Sequence, residues 1–446
     1  MINLMLAAIQ FVTVDPGHFH AALVQNRSYE GVSPEVLVYA PEGGDLKSHL
    51  ALIEQFNTRA QNPTAWKETV YSGPDFLERF KADAAKRTAD ENASRIVVLA
   101  GRNNLKPEYY LAAVEAGMNV LSDKPMAITA EDYMKLCDAA AVAKEKGLLF
   151  DDIMTERNEI TTILQRELSM AAGVYGKQET GTPDDPAVTK ISVHHFCKLV
   201  NGKPLRRPGW YYDTRQQGEA IVDVTTHLTD LVQWEVFPGE TLKRSDVNLI
   251  SARTWNTPIT AADYEKSTGL KEWPAFLKPS VDADNVLQCK ANGEFTYALR
   301  GVHAKVSVEW HFMPPAGTGD THYSLMRGSN AELIIKQGAE QGFKPMLYVK
   351  LRPGADEKKT GEALEAALAR IGSKYPGVKA VPAEGVEGAA WRIDIPKEYD
   401  IGHEAHFSQV MKKFLGWKAA GSMPEMERRN LLVKYFTISE AWRMCR

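Results

Sequence analysis

Cysteine is scarce in this chain, and its four cysteines lie far apart. Cys137, Cys197, Cys289 and Cys445 are spread over 446 residues and form no Cys-x-x-Cys pair. This spacing argues against a disulfide framework and against a structural zinc site. We therefore expect reduced thiols and no metal site.

The chain also lacks long apolar runs and any large excess of one charge. No segment approaches the roughly 20 apolar residues that a membrane span needs. The formal net charge is −4, with both signs interspersed. Without a basic stripe to neutralise phosphates, neither nucleic acid nor a membrane is an expected partner. A composition of 44% hydrophobic and 25% charged residues is typical of a globular protein with a sizeable core.

The opening segment does not have the form of a secretion signal. Met1–Gln10 is apolar, but it has no basic start and no clear cleavage site. We therefore expect a cytoplasmic protein. A periplasmic location stays open if a signal peptide has been removed from the sequence.

Strand-like and helical segments alternate through the first third of the chain. This alternation predicts an α/β fold with a doubly wound parallel sheet of the Rossmann type over residues 1–155. In that architecture ligands bind beyond the carboxyl ends of the strands. The predicted strands are Phe11–Val14, Glu35–Tyr39, Thr69–Ser72, Ser94–Ala100, Val120–Leu121 and Leu148–Met154.

The rest of the chain has a different pattern. Runs of alternating polarity, such as Ile191–Phe196 and Ala304–Trp310, predict an α+β domain with an open, mainly antiparallel sheet over residues 156–446. We expect this domain to bind substrate and to pair subunits into a homo-oligomer. Within it, residues 346–400 are predicted to be an insertion or an elaboration.

The first predicted turn, Asp15-Pro-Gly-His-Phe-His20, stands where a dinucleotide fold carries Gly-x-Gly-x-x-Gly. Only Gly17 of that motif remains, so this turn alone favours a plain strand-to-helix connection. His18 and His20 fit either contact with a pyrophosphate or capping of the next helix. Glu42, after the second strand, stands where an acid would bind the adenosine ribose, although a solvated turn explains it equally well.

A lysine turn follows the fifth strand. Asp123-Lys124-Pro125 places a lysine, followed by proline, at the end of a short apolar run. Lys124 is a candidate for chemistry, and a polar turn is the alternative. Gly17, Asn103 and Lys124 all follow parallel strands and should share one rim of the sheet.

A second constellation lies in Gly218–Trp234. If this segment is helical from Asp223, then Asp223, His227 and Asp230 lie along one face. A carboxylate beside an imidazole makes an oriented, tunable base. A solvated surface stripe is the alternative, but the apolar residues between them indicate that much of the helix is buried.

Other candidates are weaker. His194, Phe196 and Lys198 should point to one side of the strand that contains them. Lys198 would there donate to sugar hydroxyls or lie on the surface.

Trp210 and Tyr211 would stack on a pyranose ring or belong to the core. The pair His403 and His406 departs from the HExxH zinc motif, so we interpret them as helix-surface histidines.

Taken together, these motifs resemble the Gfo/Idh/MocA family of NAD(P)-dependent oxidoreductases, which act mostly on sugars and related polyols. Asn103 matches the asparagine of the family's Thr-Pro-Asn segment, and Gly117 matches its Ala-Gly. Asp123-Lys124-Pro125 matches the defining Glu-Lys-Pro, and Asp223-x-x-x-His227 matches the helix that faces the nicotinamide. The likeness covers residues 11 to 335.

The resemblance implies that residues 1–155 form a Rossmann dinucleotide-binding domain. It also implies roles for particular residues. Lys124 would hydrogen-bond the reacting carbinol oxygen, His227 would be the general base, and Asp223 would orient the substrate or His227. The candidates for substrate contact are Lys198, Trp210, Tyr211 and Asp230. The residues expected at the cofactor are Gly17, His18, Phe19, Glu42, Asn103, Asp123 and Pro125.

Besides Asp123, which replaces the usual glutamate, this sequence departs from the family pattern at two further places. An acid, Asp15, begins the first turn, and Lys106 stands where the family has a histidine, so no role is predicted for Lys106. The absence of an arginine just after Tyr39 favours NAD over NADP.

The leading hypothesis is a dehydrogenase that oxidises a ring hydroxyl of a carbohydrate. The alternatives are redox-neutral glycoside cleavage through transient oxidation, and a non-catalytic sugar or dinucleotide sensor.

Overall fold

The computed structural model describes residues 8–200, 203–204, 206–383 and 388–446. Most of the opening segment considered above as a secretion signal lies outside these residues. The chain forms two compact units. The first unit comprises Met1–Thr155, Arg215–Gly218 and Gly402–Tyr435, and the second comprises Glu156–Thr214, Glu219–Ile401 and Phe436–Arg446.

The first unit contains a six-stranded sheet in which every strand pair is parallel. The strand order is β3-β2-β1-β4-β5-β6, so the order reverses between β1 and β4, where such sheets bind ligands. The predicted Rossmann topology is confirmed. The strands are β1 Gln10–Val14, β2 Glu35–Ala40, β3 Lys67–Ser72, β4 Arg95–Leu99, β5 Asn119–Ser122 and β6 Phe150–Asp152.

The second unit contains a nine-stranded sheet of order β10-β11-β12-β7-β13-β14-β15-β17-β16. Only the β7–β12 pair is parallel among the described pairs of this sheet, which confirms the mainly antiparallel prediction. The strands are β7 Val188–His195, β10 Val247–Thr260, β11 Val286–Leu299, β12 Val302–His311, β13 Thr321–Arg327, β14 Ala331–Gln337, β15 Met346–Leu351, β16 Lys379–Pro382 and β17 Ala389–Asp394, with a separate hairpin of β8 Leu199–Val200 and β9 Lys203–Pro204.

Local sequence signals mark the ends of some helices. Thr129 and Asp132 form a reciprocal capping box at the start of α6, and Gly117 takes a positive φ just after α5. The helices are α1 His20–Leu23, α2 Gly44–Thr58, α3 Phe76–Ala85, α4 Ala89–Ala93, α5 Lys106–Glu115, α6 Ala130–Glu145, α7 Ile160–Ser169, α8 Ala172–Tyr175, α9 Thr214–Gln217, α10 Thr225–Val236, α11 Ala261–Thr268, α12 Glu357–Ile371, α13 His403–Ala420 and α14 Glu425–Met444.

The helix α13, the last but one in the chain, belongs to the first unit. Phe407, Val410, Met411 and Phe414 on α13 are almost fully buried in the same apolar cluster as the strands β1, β2 and β4. The assignment of all residues 156–446 to the second domain is therefore corrected for Gly402–Tyr435, and also for the short segment Arg215–Gly218. The reason is hydrophobic: this helix face supplies part of the core of the parallel sheet.

Residues 346–400, as far as they are described, continue the sheet of the second unit. β15, β17 and β16 extend it by antiparallel pairing, and α12 packs its apolar face into the adjoining core. Within the described part of the chain, no helix is both long enough and apolar enough to cross a bilayer.

Candidate active site

The turn after β1 contains a buried acid. Asp15 has a backbone φ of 47°, in the left-handed region that aspartate tolerates. Its carboxylate accepts hydrogen bonds from Arg102 Nη1 and from the Tyr109 hydroxyl, each at 3.2 Å. Burial raises the pKa of Asp15, and the guanidinium of Arg102 opposes that shift. The acid is thus paired inside the unit, which weakens the repulsion that it would exert on a phosphate.

This turn lies directly against the end of β4. The backbone N–H of His18 donates to Ala100 O at 2.9 Å. A Cβ on Gly101 would lie 2.0 Å from Asp15 O and 3.1 Å from Gly17 N, so only glycine permits this approach. The carboxyl ends of β1 and β4 therefore form one tight rim at the point where the strand order reverses.

Lys124 stands in the turn after β5, and its side chain is half-buried. The Lys124–Pro125 peptide bond is cis. The buried ammonium of Lys106 donates to Asp123 O at 2.5 Å and to Pro125 O at 3.2 Å. Because one cation binds the carbonyls on both sides of Lys124, the backbone of this turn is held in place.

A second anchor of the lysine turn comes from α14. The backbone N–H of Met126 donates to the Tyr435 hydroxyl at 3.0 Å, and that hydroxyl donates to Asp152 Oδ2 at 2.9 Å. Lys434 Nζ lies 2.9 Å from the same carboxylate oxygen. A buried series of hydrogen bonds therefore connects the turn to the end of β6.

The neighbouring Asp151 is also buried. Burial raises its pKa to about 7, the cation of Lys413 at 3.9 Å opposes the shift, and the charge of Asp152 adds to it. The sequence contained a signal for this pair, because two adjacent acids interrupt the apolar run Leu148–Met154.

Two histidines of the first turn face Asp123. His20 Nδ1 lies 2.9 Å from Asp123 Oδ2, and His18 Nδ1 lies 3.9 Å from the same oxygen. Burial alone would raise the pKa of Asp123, but the attraction and hydrogen bond of His20 hold it well below its usual range. The ring of Phe19 packs on His18 at 4.6 Å between centroids, and that of Phe407 packs on His20 at the same distance.

Asn103 and Glu42, two predicted cofactor contacts, lie in different surroundings. Asn103 is buried, and its Nδ2 donates to Gln217 O at 2.6 Å while its backbone N–H donates to Gln216 O at 2.9 Å. Its amide nitrogen thus fixes the Arg215–Gly218 segment of the first unit. Glu42 is exposed in the loop between β2 and α2, a position open to a ligand.

In the second unit, the predicted helix from Asp223 begins two residues later than expected. Asp223 is buried in a turn before α10, with Val224 as the N-cap. The backbone N–H groups of Thr226 and His227 bond to carbonyls three residues back, Asp223 O and Val224 O. This tight first turn places Asp223 ahead of the regular helix. The prediction that Asp223, His227 and Asp230 lie along one helix face is therefore corrected for Asp223.

Asp230 does form part of α10, but it has its own partner. Arg157 Nε and Nη2 donate to the two carboxylate oxygens of Asp230 at 2.6 and 2.7 Å, a bidentate pair that is almost completely buried. This pairing favours a structural role for Asp230 over contact with a substrate. His227, one turn earlier, is half-buried.

The predicted alternation of His194, Phe196 and Lys198 is also corrected. His194 Nδ1 and His195 Nδ1 lie 3.3 and 2.9 Å from the Asp320 carboxylate, and Lys198 Nζ donates to it as well. β7 ends at His195, so the strict two-residue period no longer applies to Lys198. Burial would raise the pKa of Asp320, but His194 and Lys198 hold it below its usual range.

Trp210 and Tyr211 are buried in a short 3₁₀ helix, Gly209–Tyr212. The guanidinium of Arg207 lies over the Tyr211 ring, 4.4 Å from its centroid. The core alternative is therefore favoured for this aromatic pair.

Two protein-family models match the chain. Residues 47–150 match "Oxidoreductase family, NAD-binding Rossmann fold", and residues 164–446, more than half of the chain, match "Putative oxidoreductase C terminal domain". The crystal structure of a "putative oxidoreductase" from Parabacteroides merdae ATCC 43184 is 48% identical, with a TM-score of 0.93, and the match covers 98% of this chain and 97% of that one. This chain belongs to the Gfo/Idh/MocA family of oxidoreductases.

Two other solved structures share the fold. Levoglucosan dehydrogenase in complex with NADH is 12% identical, with a TM-score of 0.57 and 98% of both chains covered. KijD10, a 3-ketoreductase from Actinomadura kijaniata in complex with NADP and TDP-benzene, is 14% identical, with a TM-score of 0.54 and 98% and 97% covered. A comparison with curated protein sequences gave no match.

The first unit of this Gfo/Idh/MocA protein is an NAD-binding Rossmann domain. Its geometry fits a dinucleotide for two reasons. Gly101 lets the turn after β1 pack closely on the end of β4, where the strand order reverses, and the Asp15 carboxylate is paired with Arg102. The family match nevertheless begins at residue 47, beyond the turn 15–20.

Proposed function

We propose that this NAD-binding oxidoreductase transfers a hydride between a ring hydroxyl of a sugar, glycoside or polyol and a nicotinamide. The main support is the lysine turn. Lys124 stands at the carboxyl end of β5, in a turn fixed by Lys106 and Tyr435, within an NAD-binding Rossmann domain. The names of the two fold relatives, a levoglucosan dehydrogenase and a 3-ketoreductase, support a carbohydrate substrate.

Lys124 and His227 are proposed to handle the proton of the reacting hydroxyl. An alcohol gives up hydride only as its proton leaves, so a donor to the oxygen and a base are both needed. Lys124 would hydrogen-bond the oxygen and His227 would take the proton. Asp223, buried four residues before His227, would orient that imidazole or the substrate. The cofactor, when bound, supplies the hydride acceptor.

Residues of the first unit are proposed to hold the cofactor. Gly17, His18 and Phe19 lie in the turn at the switch point, and Asp123 and Pro125 flank Lys124. Exposed Glu42 would accept from a ribose hydroxyl. Asn103 would act by fixing the neighbouring backbone, and NAD is proposed over NADP. In the second unit, Lys198 is proposed to donate to substrate hydroxyls.

The test is nicotinamide reduction with a panel of glycosides and polyols. We expect Lys124→Ala and His227→Ala each to lower kcat by about 100-fold or more, because general acid–base groups contribute about 10²–10⁴-fold. Lys135→Ala, at an exposed lysine on α6, serves as the matched control and should retain wild-type activity. Full turnover in Lys124→Ala on every substrate found would rule the proposal out. Release of an aglycone with no net NADH would instead support redox-neutral cleavage.

We also propose a homo-oligomer that forms through the sheet of the second unit. β10, at one edge of that sheet, has 14 residues, many of them exposed. Light scattering coupled to size exclusion tests this, and a monomer at all accessible concentrations would exclude it.

A further inference from the structure

The first turn and the lysine turn of the first unit place three metal-ligating side chains together. His18, His20 and Asp123 each offer one ligand atom, and these atoms all lie within 4.8 Å of one another. Both imidazoles direct Nδ1 towards the same oxygen, Asp123 Oδ2, at 3.9 and 2.9 Å. In a tetrahedral zinc site, bonds of about 2.0–2.2 Å put neighbouring ligand atoms about 3.3 Å apart. The observed separations lie on either side of that value.

We propose that His18, His20 and Asp123 form a binding site for one divalent transition-metal ion. Two imidazoles and one carboxylate are a donor set that suits zinc, iron and cobalt, whereas magnesium and calcium prefer oxygen ligands alone. The ion would replace the proton that His20 and Asp123 share in their 2.9 Å hydrogen bond. His18 Nδ1 also accepts from His20 N, but at 3.5 Å that bond is weak enough to be exchanged for a metal bond.

The three side chains are held in position by their surroundings. Asp123 is fixed through its carbonyl, which accepts from Lys106, and through its N–H, which donates to Leu99 O at 2.6 Å. The His20 ring packs on Phe407 at 4.6 Å and lies 5.9 Å from the ring of His403. Such outer contacts orient ligands before a metal arrives.

The site is largely buried and keeps some access to solvent. The side chains of His18, His20 and Asp123 are 15%, 13% and 8% exposed. Three protein ligands correspond to an open site, in which water or another oxygen donor completes the coordination. The two histidines belong to the turn that replaces the glycine motif, so this site would be particular to chains with the His-x-His turn.

Metal binding is tested without any enzymatic turnover, so its outcome is independent of the proposed dehydrogenase activity. The full-length protein is first stripped with a chelator and then titrated with Co²⁺ and with Zn²⁺, by visible absorption and by calorimetry respectively. We expect one ion per chain, a d–d spectrum of nitrogen and oxygen ligation, and a higher unfolding temperature with the ion bound.

Substitutions locate the ion. We expect His20→Ala and Asp123→Asn each to weaken Co²⁺ binding by at least about 100-fold, since even outer-shell partners contribute about 10–100-fold. His311→Ala, at an exposed histidine of the second unit, is the matched control and should bind as the wild type does. His18→Gln, which keeps a polar side chain, provides a second test if His20→Ala does not fold. Absence of a stoichiometric ion in the wild type, or equal affinity in folded His20→Ala and Asp123→Asn, would overturn the proposal.

Discussion

At the scale of single residues, the position of Lys124 depends on neighbours that are distant in sequence. Lys106 is almost fully buried, and its ammonium donates to the carbonyls of Asp123 and Pro125. A buried cation of this kind costs desolvation energy, and its two hydrogen bonds offset that cost. Lys106 is thus a positioning residue for the lysine turn.

We predict that Lys106→Met destabilises the fold by about 1–3 kcal/mol, because two buried carbonyls lose their donor. If Lys124 acts as proposed, kcat also falls while KM changes less, since the turn loses its geometry. Urea unfolding and steady-state kinetics measure the two effects. Lys135→Met is the control for the same change at an exposed site. Unchanged stability together with unchanged kcat would contradict this role.

Whether a residue of the site could be predicted depends on how far away in sequence its partners lie. Lys124 and Asp223-x-x-x-His227 stand out in the sequence because a local motif marks each of them. Tyr435 and Asp320 carry no such mark, since their partners Met126 and His195 lie 309 and 125 residues away. Only the folded chain brings those groups together.

At the scale of elements, β6 ends in two buried acids, Asp151 and Asp152, which lie close to lysines of α13 and α14. Asp152 pairs with Lys434 on α14, whereas Asp151 lies 3.9 Å from Lys413 on α13 and keeps a raised pKa. The apolar run Leu148–Met154 predicts a buried strand here. The partners of its two acids could not be predicted, because the lysines come from helices at the far end of the chain.

The raised pKa of Asp151 predicts a pH-dependent stability. Its pKa moves from 3.8 to about 7, so between these values the native state binds more protons than the unfolded state. Stability contributed by this group is therefore present below about pH 4 and is lost as pH rises towards about 7. At about 1.4 kcal/mol per pKa unit, the loss is up to about 4 kcal/mol.

Asp151→Asn tests this. We expect the difference in unfolding free energy, variant minus wild type, to become more positive from about pH 4 to about pH 8. Urea unfolding at a series of pH values measures it. Asp138→Asn, at an exposed acid on α6, is the comparison and should give a flatter profile. A difference for Asp151→Asn that is constant across this range would show that Asp151 does not titrate in the native state near pH 7.

At the scale of the whole molecule, the first unit is built from both ends of the chain. The alternation of strands and helices in residues 1–155 predicts its sheet correctly, and the family match supports it. Nothing local indicates that α13 belongs there, since its apolar face would suit any core. The decisive information is the buried cluster itself, in which Phe407, Met411 and Phe414 pack with Phe11 and Val98.

We therefore predict that a chain ending at Ile401 loses the stability of its first unit. Without α13, the apolar surface that Phe407 and Phe414 cover is exposed to water, and losing one buried phenylalanine alone costs about 3–5 kcal/mol. Limited proteolysis should then cleave within residues 8–155, and the unfolding temperature should fall. A chain that ends at Met444, which keeps α13 and α14 entire, is the control and should resist cleavage. Equal protease resistance in the two truncated chains would mean that residues 8–155 form a stable core without the C-terminal helices.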